Sequence, residues 1–114
     1  MKYTYLPEFE KDLKRLLKRY ISLNEDLIKI KLILELYPNA RPPFSFLLFN
    51  KSNSVNIIKI KKIACLSLRG KGVNTGLRII YNFNQESNTI QFIEVYHKNE
   101  QSIENQNRFL DLIK

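Results

Sequence analysis

Two groups of residues late in the chain have the side chains for chemistry on a charged substrate. Arg69, Lys71 and Arg78 surround the opening of one strand-like run, and Tyr96, His97, Lys98 and Glu100 close the next. Breaking an RNA phosphodiester needs no more than such groups. A base activates the ribose 2′-hydroxyl, cations stabilise the crowded phosphate, and an acid protonates the departing 5′-oxygen. Imidazole suits proton transfer because it titrates near neutrality, and guanidinium and ammonium groups suit the phosphate. Other chemistries lack their parts. One cysteine and one histidine without clustered carboxylates do not make a four-ligand metal site. Gly70-Lys71-Gly72 lacks the first glycine and the Lys-Ser/Thr pair of a phosphate-binding P-loop. No Ser-His-acid arrangement stands out, and no cofactor is expected.

The charge distribution marks the same region. Between Leu36 and Gln85 there is no Asp or Glu, whereas Arg41, Lys51, Lys59, Lys61, Lys62, Arg69, Lys71 and Arg78 are all basic. Elsewhere the basic and acidic residues balance, so the net charge of +8 resides in this segment. A field this one-sided selects polyanions or acidic proteins as partners. Each candidate also has a purely structural reading. Arg78 suits a cross-strand pair with Glu94 as well as it suits a phosphate, and Lys59, Lys61 and Lys62 suit the solvated face of an edge strand. Cys65, Tyr81 and Phe83 suit the core. On residue types alone, this is a basic domain for nucleic acid or an acidic partner.

The elements that position these residues follow from periodicity. The 114 residues suffice for one domain, residues 1–114, with a single core. Tyr3–Tyr5 are strand formers ahead of Pro7, which suits the first turn of a helix. Phe9, Leu13, Leu16, Leu17 and Tyr20 recur at helical spacing, with acids early and bases late, as the helix dipole favours. The basic face beginning at Lys11 suits a solvated surface. Ser22–Glu25 matches a capping box, which predicts a second helix ending at Pro38 and hence an antiparallel helical hairpin. That second helix is too apolar for one stripe and implies a partner or extensive burial. Phe44–Phe49 suit either a short strand or a cap over the core. Ile58–Lys61 and Leu66–Arg69 alternate with period two, Gly70, Gly72 and Gly76 bracket a turn, and 77–83 and 90–96 form an antiparallel hairpin. Ile103, Leu110 and Ile113 mark a C-terminal helix with Ser102 as its cap. The order β-α-α-β-β-β-α predicts an α+β fold: a helical hairpin packed on a small, twisted antiparallel sheet, with a short C-terminal helix. No run is long enough to span a membrane, no signal peptide opens the chain, and a lone cysteine suits a reducing compartment, so a cytoplasmic location is expected.

Beyond these patterns, IKKIACLSLRGKGVNTGLRIIYNF followed by TIQFIEVYHKNEQSIENQNRF resembles the RelE/ParE superfamily of bacterial type II toxins. The resemblance is best over residues 57–104. Its most specific parts are the basic glycine loop, Gly76–Tyr81, and the apolar strand ending in Tyr96-His97-Lys98-Asn99-Glu100. It implies a small α+β toxin neutralised by an antitoxin whose acidic, amphipathic segment wraps it. RelE-like members cut mRNA on the ribosome, whereas ParE-like members poison DNA gyrase without nuclease chemistry. By similarity, Arg78 matches the arginine that contacts the scissile phosphate, and Arg69 and Lys71 match basic residues of the preceding strand. Tyr96-His97 resembles the strand ending of the HigB-like branch. Asn99 and Asn105 stand where RelE-like toxins carry an arginine and a tyrosine, which leaves proton transfer to His97 or Glu100. The expectation is a metal-independent mRNA endoribonuclease with catalytic His97, Arg78, Glu100 and Tyr96. Its phosphate-binding residues are Arg69, Lys71, Lys59, Lys61, Lys62 and Lys98. The alternatives are a gyrase inhibitor or a non-toxic basic binding domain.

Overall fold

A computed structural model describes residues 1–113. The chain opens on strand β1 (Lys2–Tyr5), followed by helices α1 (Pro7–Leu17) and α2 (Leu23–Leu36), and then strands β2 (Ser45–Ser52), β3 (Val55–Ile60), β4 (Leu77–Asn84) and β5 (Thr89–His97). A 3₁₀ turn (Gln106–Phe109) leads into the short α3 (Leu110–Ile113). The five strands form one sheet in the order β1-β5-β4-β3-β2. The sheet is mixed rather than antiparallel, because β1 runs parallel to β5. Tyr3 and Tyr5 stack on Phe92 of β5, at 6.1 and 5.5 Å between ring centroids, so docking β1 there buries aromatic surface. Of Phe44–Phe49, residues 45–49 resolve to strand, while Phe44 stays in the preceding turn and packs on the core; β2 pairs with β3, with a register shift between Leu47 and Phe49.

The helices cover one face of the sheet. Pro7 starts α1 at its first turn, where a missing N–H costs nothing, and Glu8 and Glu10 precede Lys14 and Arg15 along the dipole. Phe9 and Leu16 of α1 and Leu23, Leu27, Ile30 and Leu34 of α2 share a core with Ile58, Ile60, Ile79, Tyr81, Phe92 and Val95. Cys65 joins this core. On α2, by contrast, Ile28, Leu32 and Leu36 are 59%, 64% and 73% exposed, an apolar stripe at i, i+4, i+8 facing solvent.

The opposite face holds a second core of Val55, Ile57, Ile80, Ile93, Tyr96 and Phe109, covered by the C-terminal segment. Polar bonds tie that segment down. Glu94 accepts from Gln101 Nε2 at 2.7 Å and from the Asn105 N–H at 2.8 Å, while Arg108 reaches Asp12 of α1 through both terminal nitrogens. The expected C-terminal helix is therefore shorter and later, and its cap is Asn105, which accepts from the Asn107 N–H, rather than Ser102.

Two further departures build the site. Residues 66–69 are a turn, not a strand. The buried Asp26 carboxylate accepts the Leu66 N–H at 3.2 Å, and Ser22 Oγ accepts the Ser67 N–H at 2.8 Å. Those bonds take donors that a sheet ladder would use. For the same reason Ser22 makes no capping box: its hydroxyl donates to Asp26 Oδ2 at 2.8 Å, while its own N–H donates to Ser67 Oγ at 2.9 Å. The knot clamps the basic loop to the start of α2.

Candidate nucleic-acid interface

The start of β4, the end of β5 and the loop from Lys61 to Gly76 meet at one end of the sheet. The loop is anchored from within. Thr75 Oγ1 donates to the Ile63 carbonyl at 2.6 Å and accepts the Leu77 N–H at 3.3 Å, while the Lys98 N–H donates to the Gly76 carbonyl at 2.9 Å. Two adjoining depressions result. One, of about 530 Å³, is lined by Arg19, Tyr20, Leu68, Lys71, Asn74, Thr75, His97, Lys98 and Asn99. The other, of about 330 Å³, is lined by Pro43, Phe46, Lys61, Lys62, Asn74, Gly76, Arg78 and Lys98. Asn74 and Lys98 border both. Six cations thus line the pair, Arg19, Lys61, Lys62, Lys71, Arg78 and Lys98, and among the described residues no carboxylate does.

Arg78 faces Tyr96 across the β4–β5 ladder, and Ile80 faces Glu94. The Arg78–Glu94 pair suggested by residue type is not formed. Glu94 is buried under the C-terminal segment, where Gln101 and Asn105 occupy its oxygens. Arg78 instead donates through Nη1 to the Lys61 and Leu77 carbonyls, at 3.0 and 3.1 Å. Its Nε and Nη2 make no hydrogen bond to the described residues, which leaves a two-donor edge for an oxyanion.

His97 sits on the helical face with both ring nitrogens engaged. The Asn99 N–H donates to Nδ1 at 3.1 Å, so Nδ1 carries no proton, and Nε2–H donates to the Thr75 carbonyl at 2.9 Å. The ring stacks on Tyr20, with 5.9 Å between centroids and 7° between planes. Gly76 allows this approach: a Cβ there would lie 2.7 Å from His97 Nε2, and its φ is +84°.

The remaining candidates lie elsewhere. Tyr96 is adjacent to His97 in sequence and therefore points through the opposite face, where it is buried in the second core. Its hydroxyl has no hydrogen-bond partner there, and burial pushes its pKa up, only partly offset by the Lys59 ammonium. Lys59 lies 5.8 Å from the Tyr96 ring centroid and is paired with Glu104 at 3.3 Å beneath the C-terminal segment. It is not the solvated lysine of an edge strand. Burial alone would lower its pKa, but Tyr96 and Glu104 together hold it above the usual lysine value. Glu100 is bound by Arg15 at 2.9 Å and Arg19 at 3.5 Å, outside both depressions. Arg69 is exposed on the 66–69 turn and lines neither. Residue types at the end of β5 thus overstate the site; no spacing in the sequence marks Arg19, Asn74 or Thr75, and Asn99 is marked only as a departure from the RelE-like pattern. Arg19 lies in the turn after α1, in the run of bases expected to form a solvated helix face; nothing in its spacing separates it from Lys18.

The orphan hydroxyl carries a prediction. Tyr96→Phe should leave activity unchanged and hold or raise the unfolding free energy, by up to about 1 kcal/mol, because it removes an unsatisfied buried polar atom. Loss of activity at full stability would return Tyr96 to the site.

Among the described residues, no three His, Cys, Asp or Glu side chains converge as metal ligands, and no helix is long and apolar enough to cross a membrane. The helices on one face and the C-terminal segment on the other make an α+β sandwich with a basic cleft at one end of its mixed sheet. No protein-family model matches the sequence, and no curated protein does. Among solved structures, the crystal structure of the archaeal RelE–RelB complex from Pyrococcus horikoshii OT3 contains a similar chain. The two share 16% identity and a TM-score of 0.59, over 85% of this chain and 93% of that one.

Proposed function

We propose that this chain, as one toxin domain over residues 1–114, is the toxin of a toxin–antitoxin pair and acts in the cytoplasm on mRNA held by the ribosome. The observation that carries the reading is the paired depression of six cations and no carboxylate at the end of a RelE-like sheet. In this reading the 2′-oxygen attacks phosphorus in line, the bond to the 5′-oxygen breaks, and a 2′,3′-cyclic phosphate and a 5′-hydroxyl result. Arg78 takes a non-bridging oxygen through its free edge, and Lys61, Lys62, Lys71 and Lys98 supply the surrounding positive field. His97 accepts the 2′ proton through Nδ1 once the Asn99 N–H releases it, and that proton passes on through water to the departing 5′-oxygen, which leaves as the hydroxyl; apo hydrogen bonds at such sites commonly rearrange with substrate. The partner is an acidic, amphipathic antitoxin segment, with a helix on the Ile28–Leu32–Leu36 stripe and carboxylates against the cleft.

A second reading, a gyrase poison without chemistry, is favoured by one specific observation. His97, Glu100 and Tyr96, the groups fit to move a proton, are all committed to structural roles. Induced expression without an antitoxin separates the two. The first reading expects translation arrest and new 5′-hydroxyl mRNA ends, with activity unaffected by a chelator. Intact transcripts with inhibited supercoiling would establish the second.

A further inference from the structure

The two depressions differ in what they can recognise. The smaller is a set of cations: Lys61, Lys62, Arg78 and Lys98 surround it, and Phe46 is covered by the Lys61 ammonium at 5.0 Å. The larger carries three cations as well, Arg19, Lys71 and Lys98, but adds to them a planar ring, an apolar side chain and two carboxamides. His97 is held flat against Tyr20, Leu68 lies alongside, and Asn74 and Asn99 present amides. Asn74 Oδ1 accepts from Lys62 Nζ at 2.9 Å, which leaves its NH₂ group, while the Asn99 carboxamide makes no hydrogen bond to the described residues. A free amide presents a donor and an acceptor side by side, the pattern that reads the edge of a nucleobase. Unpaired bases stack on histidine as on other planar rings. At about 530 Å³, the larger compartment falls within the usual size range of small-ligand sites.

We propose that the depressions are consecutive subsites for one single strand. The larger takes a nucleobase, packed on the His97 and Leu68 surface and read by Asn99, and the smaller takes the adjoining phosphate on Arg78. Lys98 and Asn74, which border both, follow the backbone between them. Base selectivity therefore resides in Asn99 and affinity in Arg78. Neutral His97, its Nε2–H fixed on Thr75, holds the compartment's wall before any proton moves.

The inference rests on the nucleic-acid reading of the cleft, and the test is done on the purified full-length chain without ribosomes. Non-cleavable 2′-O-methyl dinucleoside monophosphates compete against a fluorescent 2′-O-methyl trinucleotide at low salt. Free nucleosides and inorganic phosphate serve as controls. A dinucleoside monophosphate should compete about tenfold better than an equimolar mixture of its nucleosides and phosphate, the gain expected of one stacked base. Varying the first base should spread the affinities by about threefold or more, as edge readout does. Asn99→Ala keeps the main-chain N–H that holds His97; it should collapse that spread and leave competition by phosphate intact. Arg78→Ala should weaken every competitor while keeping the spread. No dinucleotide advantage, or a spread indifferent to Asn99→Ala, overturns the proposal. Its failure is distinct from that of the function above. Uncut mRNA in cells together with base-selective binding would sink cleavage and keep the subsites. Cut mRNA without a dinucleotide advantage would sink the subsites alone.

Discussion

Arg78→Ala should cut cleavage of ribosome-bound mRNA by about 10²–10³-fold, the usual loss when a preorganised charge stabiliser is removed. The fold should lose only about 1 kcal/mol, because the two bonds to the Lys61 and Leu77 carbonyls are made at a half-exposed position. Arg78→Lys should recover part of the rate and not all of it, since an ammonium keeps the charge but not the two-donor edge. Glu94 provides the control. Glu94→Ala should destabilise the C-terminal segment, and in the double mutant its cost should simply add to that of Arg78→Ala, because the two side chains do not touch. His97→Gln belongs in the same assay. A proton-transfer role predicts a loss of about 10²–10⁴-fold. Full activity in both Arg78→Ala and His97→Gln would end the nuclease assignment of this cleft.

Gly76→Ala should be the most disruptive single change to the fold near the site, at about 3 kcal/mol. A φ of +84° costs an L-residue roughly 1–2 kcal/mol. The new methyl would also sit 2.7 Å from His97 Nε2 and displace the ring. The ring then loses its bond to Thr75, about 1 kcal/mol, and its stack on Tyr20, about 0.5–1.5 kcal/mol. Urea unfolding of Gly76→Ala, His97→Ala and the double mutant reads this directly. If the methyl acts by expelling the ring, the double mutant should lose clearly less than the sum of the two. Unchanged stability in Gly76→Ala would show that the clasp between the loop and β5 does not hold.

Much of this architecture is local and therefore legible in the residues themselves. The period-two runs at 77–83 and 90–96 pair as a hairpin, because alternation specifies a strand and a short polar break specifies a turn. The helices follow from 3.6-residue spacing and from Pro7 and Pro38 at their limits, and the exposed stripe on α2 follows from its surplus of apolar residues. The acid-free segment between Leu36 and Gln85 already held most of the cations of the cleft.

What the tertiary structure decided depends on partners far away along the chain. Leu66–Arg69 alternates like a strand, yet Asp26, 40 residues earlier, captures the Leu66 N–H, and a captured donor cannot join a ladder. Alternation puts Tyr96 and His97 on opposite faces but does not say which face the helices cover. Only the packing of α1 and α2 sends His97 to the cleft and Tyr96 beneath the C-terminal segment. Arg19 looks like any other cation of a solvated helix until the fold brings it to Lys71 and Lys98. Periodicity is set within a few residues, whereas the destination of a hydrogen bond or a charge is set by which segments meet, and that meeting made the site.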